Sequence, residues 1–525
     1  MKCKNEKGVA LILTLILLLI VSVMAVSLMF ISQTETWASM NYKLMSQSRD
    51  GAEAGINAAA NYIINTYTPP ASTGADLLSS YNNNVSPVQY PSTSTNGNDV
   101  MLATSNSGQS SNYPVSSVVT AFGNNAQNSL TAGNVTVNYN SSAKLLSQVQ
   151  VIPYGTSAYE TVQTWQITSD GAISGIRNAD EEVSAILEKQ ITPVFSYAAF
   201  ASATGCGAMN FGGGGTTNSY DSSNMTMHAG APVVAATGGN VGTNGNLAEN
   251  GNPTTINGSL STPRTGTGTC SSGNVTAWTD SSGTVTGGLV DLPQQVNYRT
   301  PTQQGATPPT DSADALTLNN SSGNCGGVSS CIYGTGHGVN QNGCTGGDFC
   351  LTPGMCPPAT PTSPALSGPG VFGDLTIKGN VHLSAGCYNI NSLTENGQGT
   401  LTIDSGPVVV YIAGSGGTGN PPLSTPIDLT GGGLVNTTGF NAASLQFQYG
   451  GSGTVKLAGG ANSTGVLYAP NSTLTMTGGS TWYGAVITGN MTDMGGATIN
   501  YDQNLQKQAA TVSNWMLDSF TWKKN

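Results

Sequence analysis

Charge is scarce in this chain. Asp, Glu, Lys and Arg together make 8% of 525 residues, against roughly 25% in an ordinary soluble protein. Disorder driven by net charge is therefore excluded. Only 15 residues are basic, and none cluster in the body of the chain. A nucleic-acid footprint, which needs grouped Lys and Arg, is missing. Histidine occurs three times, at His228, His337 and His382. There is no His-Glu-x-x-His motif, no Gly-x-Ser-x-Gly elbow, and no Gly-Lys-Ser/Thr after the Gly212–Gly215 run, so the common zinc-protease, hydrolase and phosphate-loop signatures are all absent. Proline is absent from Met1 to Thr68, so nothing there interrupts a helix. Helix-forming composition collapses beyond residue 65, which excludes a coiled coil or helical array. The 69 glycines show no three-residue period, which excludes collagen.

What remains is Gly, Ser, Thr and Asn between alternating Val, Leu and Ile. That is the composition of short strands and many turns. The net charge is −11, so the body has no electrostatic grip on DNA or anionic lipid.

The N-terminus differs from the rest. Lys2, Lys4 and Lys7 precede an apolar run from Val9 to Ile31, broken only by Thr14, Ser22 and Ser27. Val9, Leu13, Leu18, Val23 and Ile31 mark its length. At about 1.5 Å per residue it crosses a ~30 Å hydrocarbon core. A cleaved secretory signal, a plain membrane anchor and a prepilin-type leader all begin this way. Ala25-Val26-Ser27 offers a signal-cleavage site, but inside the apolar run. The basic leader ends in Lys7-Gly8, and the apolar stretch starts at once. Trp37, Met40, Leu44, then Ile56, Ala59, Ala60 and Ile63 continue with helical spacing. Thr68 before Pro69-Pro70 is the expected stop. The sequence thus predicts one helix from Val9 to about Asn65.

Gly8-Val9-Ala10-Leu11-Ile12-Leu13 and Ala52-Glu53-Ala54-Gly55-Ile56 resemble the N-terminal region of PilX-type minor pilins. The resemblance covers roughly the first 65 residues. It implies cleavage between Gly8 and Val9 by the prepilin peptidase. It also implies a helix held first in the inner membrane, with a cytoplasmic N-terminus, and then packed in a pilus filament against other pilins and minor pilins. Major pilins of this kind carry Glu at the fifth mature position, where this chain has Leu13. That departure argues against a shaft subunit and for a low-copy or tip role. Removal of Met1–Gly8 takes away three lysines and one glutamate, moving the net charge from −11 to −13.

Residues 66–195 read as a small antiparallel β-meander with Ser/Asn-rich loops. Val135–Tyr139, Leu146–Ile152 and Thr161–Thr168 alternate as strands, and Ser169-Asp170-Gly171 reads as a turn. Asp180, Glu181 and Glu182 form either a solvated polar break or a cation site.

Residues 196–505 carry short alternating segments between Gly and Asn turns. Gly465–Gly479 recurs as Gly484–Gly496, offset by 19 residues at the first glycine and 17 at the Gly-Gly pair. Stacked coils of a β-helix have this kind of repeat; a β-sandwich is the competing plan. Asn218–Ser222, Gly465–Pro470, Trp482–Ile487 and Tyr501–Leu505 resemble the β-helix-like domain that accompanies PilX-type N-termini. The expected fold is thus α+β and mostly β: leader 1–8, helix 9–65, meander 66–195, β-helix 196–505 and a C-terminal tail 506–525.

Cys3 lies in the leader. Cys206, Cys270, Cys325, Cys331, Cys344, Cys350, Cys356 and Cys387 form an even set beyond a membrane segment, so up to four disulfides are expected with the pairing open. Five fall within a Cys-rich insertion, 325–356. Their spacings, with five, twelve, five and five residues between, suit zinc poorly. The insertion reads as a stapled surface loop. Asp221 with His228, and Asp374 with Lys378 and His382, are the nearest approach to a carbohydrate-enzyme site; turn residues explain them equally. No cofactor and no catalytic residue is expected. The leading expectation is a minor pilin or pilus-tip subunit acting in assembly initiation or surface adhesion, with a surface or carbohydrate receptor. A membrane-anchored β-helix enzyme and a non-filament surface protein are the alternatives.

Overall fold

The structure is a computed structural model. It describes residues 7–72, 74–92, 97–132, 135–156, 159–175, 178–250, 254–279, 283–302, 307–310, 315–334, 344, 346–354, 356, 370–397, 399–431, 433–436, 439–457, 463–476 and 478–524. Lys2, Lys4, Cys3 and His337 lie outside them. The chain divides into two units: 1–151 with 160–190 and 512–525, and 152–159 with 191–511.

The first unit is built on helix α1 (Lys7–Asn65). The proline-free stretch lets it run unbroken, and Pro69-Pro70 cannot continue it. Its second half carries the stripe Ala52, Ile56, Ala59, Ala60 and Ile63, each at most 4% exposed. The stripe begins to engage only at Ser48; Trp37 and Met40, which share the helical spacing, stay exposed.

A six-stranded sheet faces this stripe. Its strands are β1 (Met101–Ala103), β2 (Gln127–Ala132), β3 (Val135–Val151), β4 (Glu160–Ile173), β5 (Ala179–Pro193) and β6 (Ala510–Lys524). The order is β1-β3-β4-β5-β6, with β2 paired to β3. The β3–β4 and β4–β5 pairs are antiparallel. Trp165, Ile167, Val183, Ala185 and Leu187 face inward and bury with α1, beside helix α2 (Ser116–Asn125).

Three sequence expectations change here. The two segments read as separate strands between Val135 and Ile152 are one strand. Ser169-Asp170-Gly171 is not a turn but lies inside β4. Gly171 is needed because α1 passes over it: a Cβ there would strike the backbone of Ser48 and Ala52. The Ser48 hydroxyl donates to the Gly171 carbonyl. Gly55, on the facing side, would clash with Ser141 and Ser169 if it carried a Cβ. The expected tail is β6, a full edge strand.

The second unit is almost wholly β and its main sheet is parallel. Its first pass comprises Ala199–Ala201, Met209–Gly212 and Thr216–Tyr220. On one side it pairs in parallel with Val241–Thr243, Leu247–Asn250 and Thr255–Ile256. On the other it pairs with the last pass, Thr481–Met494 and Thr498–Asp502. The chain therefore starts in the middle of the sheet, runs outward to Leu289–Asp291, crosses to Leu316–Leu318, and works back. The recurring segments pair in register, with Gly465 opposite Gly484 and Leu474 opposite Met491. The change of offset read in the sequence is the register shift between Ala469 and Thr473.

In-register pairing stacks like side chains. Leu316, Leu375, Leu393, Ile427, Val455, Leu474, Met491, Met209 and Leu247 stand opposite one another in succession. All nine are buried. Each such side chain contributes about 1.5–3 kcal/mol by leaving water. A second row runs Tyr388, Val410, Phe447, Leu467, Val486, Ala199, Val241 and Leu260.

Candidate membrane and assembly segment

The first half of α1 has no charged residue between Lys7 and Glu35. It is apolar enough to cross a membrane, and none of it is buried. Val9, Leu13, Leu18, Val23 and Ile31 are all more than half exposed. Its polar side chains bond back onto the helix. The Thr14 hydroxyl reaches the Ala10 and Leu11 carbonyls at 3.0 and 2.9 Å, and the Ser22 hydroxyl reaches Leu19 at 2.8 Å. Such self-satisfaction is what a lipid or close-packed helical environment requires. Gly8 and Val9 lie in the first turn of the helix. Trp37 and Tyr42 follow the run, 62% and 77% exposed.

The cysteines pair as Cys206–Cys270, Cys325–Cys331, Cys344–Cys350 and Cys356–Cys387. The Cys-rich insertion is more than a loop. Cys331–Tyr333 runs antiparallel to Phe349–Leu351, which pairs in parallel with Asn380–Leu383. Its disulfides thus brace strands at the margin of a five-stranded sheet.

The acidic trio does not converge. Strand alternation buries Glu181 while Asp180 stays exposed on the other face. Asp221 accepts from the Ser223 amide and hydroxyl at 2.9 and 2.6 Å. These bonds lower its pKa. His228 sits in a separate hairpin with Ala231-Pro232. Asp374 accepts from Asn391 and Ser392. His382 instead meets Asp404 at 2.9 Å and Asp348 at 3.6 Å. Among the described residues no group of three or more His, Cys, Asp or Glu is arranged to hold a metal ion.

Sequence reasoning missed two groups. The Asp348–His382–Asp404 array depends on a register that local pattern does not give. Glu395 is 1% exposed, and burial raises its pKa to about 7. The signal for it was its phase, two residues past the inward Leu393.

Residues 7–57 match the family model described as PilX N-terminal. Residues 371–508 match a family described as a domain of unknown function, DUF7305. No curated protein matches the chain. Among solved structures, the crystal structure of the competence-associated pilin ComZ from Thermus thermophilus is similar over 92% of this chain and 98% of that one. The identity is 11% and the TM-score 0.21, a score that carries no argument about the fold.

An exposed apolar helix, long and apolar enough to cross a membrane, continues into an amphipathic half packed on a sheet. Over residues 7–57 the chain is similar to the N-terminal region of PilX-type proteins.

Proposed function

We propose that this chain is a minor pilin, inserted in the inner membrane with its N-terminus cytoplasmic and then incorporated into a type IV pilus-like filament. The carrying observation is the uncharged, wholly exposed stretch Val9–Ile31 at the head of a PilX-type helix. In the membrane that surface meets lipid. In a filament the same surface meets the helices of other pilins. The prepilin peptidase cuts between Gly8 and Val9. Leu13 leaves the fifth mature position without a carboxylate, which suits a tip or low-copy place.

The parallel body is read here as a β-helix. The in-register Gly465–Gly484 repeat and the two buried side-chain rows support that reading. The body would be displayed outward, to start assembly or to contact a surface or carbohydrate receptor; no enzymatic role is assigned to it. Edman sequencing of subunits from sheared filaments tests the proposal, and Val9 is the expected first residue. A subunit beginning at Met1, or one absent from sheared filaments, makes it an anchored surface protein instead.

A further inference from the structure

We propose that Glu395, Ser480 and Trp482 hold one buried water molecule inside the parallel body, at a binding site independent of the chain's place in a filament. Strand register puts Glu395 where an apolar side chain is expected. Ile377 stands opposite Glu395. Leu393 stands opposite Ile427, which brings Glu395 into phase with Leu429. Leu457 and Met476 follow in the same column. All five are buried, and Glu395 is the polar one.

Glu395 lines a small cavity together with Ser463, Ser480 and Trp482. Ser463 stands opposite Trp482 in register, and Ser480 precedes Trp482 by two residues. Three polar atoms of these lining residues, Glu395 Oε1, Ser480 Oγ and Trp482 Nε1, have no hydrogen-bond partner among the described residues. Their residues are 1%, 5% and 3% exposed, so bulk solvent does not serve them. A buried polar group left unpaired is costly, and one bridging molecule at a shared cavity relieves all three. The cavity offers about 10 Å³ to the centre of a water-sized sphere, about what a single water needs.

The chemistry of the three atoms selects the ligand. An indole N–H only donates, an ionised carboxylate only accepts, and a hydroxyl does both. A cation would meet the Trp482 N–H, and an anion would meet the Glu395 carboxylate. Water suits the whole set: it accepts from Trp482, donates to Glu395 and pairs with Ser480 in either sense. When Glu395 carries its proton on Oε1, that O–H donates to the water, and the water donates to Ser480. The site thus keeps three bonds in both protonation states, the usual number for a buried water. The molecule ties the end of the strand Gly386–Glu395 to the start of the strand Thr481–Met494.

A crystal structure of the full chain in detergent, at a resolution that shows ordered water, tests this directly. One peak is expected within about 3.2 Å of Glu395 Oε1, Ser480 Oγ and Trp482 Nε1. Ser480→Ala gives a second readout in solution. With water in place the variant loses one of three bonds, and the second unit should melt about 1–3 °C lower. Without water, Ser480 is an unpaired buried hydroxyl whose removal relieves a penalty, and the midpoint rises. A wild-type map with no peak at this place overturns the proposal. So does a peak about 2.3–2.6 Å from the oxygens, as a metal ion would give, or a higher midpoint in Ser480→Ala.

Discussion

Glu395 should make the parallel body less stable as pH rises toward neutrality. Glu395 lines a small cavity together with Leu429, Leu434, Leu457 and Met476 and with Ser463 and Ser480, and one of its oxygens has no hydrogen-bond partner. Amides of Leu401 and Gly433 bond the carboxylate and oppose the shift, but burial dominates and lifts the pKa from 4.5 to about 7. Each pKa unit is worth about 1.4 kcal/mol, so the displacement corresponds to about 3 kcal/mol. The sign follows from linkage. Between pH 4.5 and about 7 the folded state holds the proton and the unfolded state does not, so stability falls with rising pH across that window. Below 4.5 this penalty is absent; above about 7 it is fully present. Glu395→Gln keeps the shape and removes the charge. Calorimetric unfolding of the full chain in detergent at pH 4, 5, 6, 7 and 8 measures both proteins. The variant should gain on the wild type by about 3 kcal/mol between the acid and neutral ends. A constant difference across the series refutes the argument.

Four further outcomes are expected. Gly171→Ala should destabilise the first unit by about 1–3 kcal/mol or more, because its Cβ meets helix backbone that cannot rotate away; the unfolding transition of that unit reads it. Gly484→Ala should destabilise the second unit, since its φ is +139° and a Cβ would press on the Gly465 carbonyl; thermal melting reads it. Replacing Cys206 and Cys270 by Ser opens a link of sequence separation 64 and should cost about 4 kcal/mol, whereas Cys325 and Cys331, separated by 6, should cost about 2 on the same chain-entropy model; denaturant midpoints rank them. Leu18→Arg places a charge in the apolar run at about 2.5–3.5 kcal/mol and should lower the membrane-bound fraction on cell fractionation.

The helix was legible because every signal for it is local: no proline, continuous apolar composition, then helical spacing. The repeat was legible for the same reason, since the two copies are sequence neighbours and their changing offset survives as a register shift. The order of passes was not legible. Nothing in Ala199–Ala201 says that its partner is Val486–Thr488 rather than only the next segment along. Gly171 misled because turn and close approach both select glycine, and only the helix above it tells them apart. Glu395 and His382 were missed because each owes its environment to strands on either side. In the parallel sheets those partners are fixed by register, which period-2 alternation leaves open.

The place of β6 follows from how the second unit closes. The Val194 amide bonds the Ala509 carbonyl at 3.0 Å, so the long excursion 191–511 into that unit begins and ends at one spot, apart from the short segment 152–159. The cause lies in the pass order: the first pass pairs with the last, Thr216 opposite Thr498 through Tyr220 opposite Asp502. The strands flanking this spot, β5 and β6, are consequently delivered side by side, and they are neighbours in the six-stranded sheet. Residues 191–511 are in this sense an insertion between two adjacent strands, the arrangement that close termini permit. Loop closure over so long a segment is costly unless the segment is already folded. β6 therefore docks after the parallel body has formed, whereas α1 and β2–β5 need no residue beyond Pro193. Pulse-labelled hydrogen exchange should show amides of β3 and β4 protected before those of β6. Protection of β6 ahead of Thr216–Tyr220 would contradict this order.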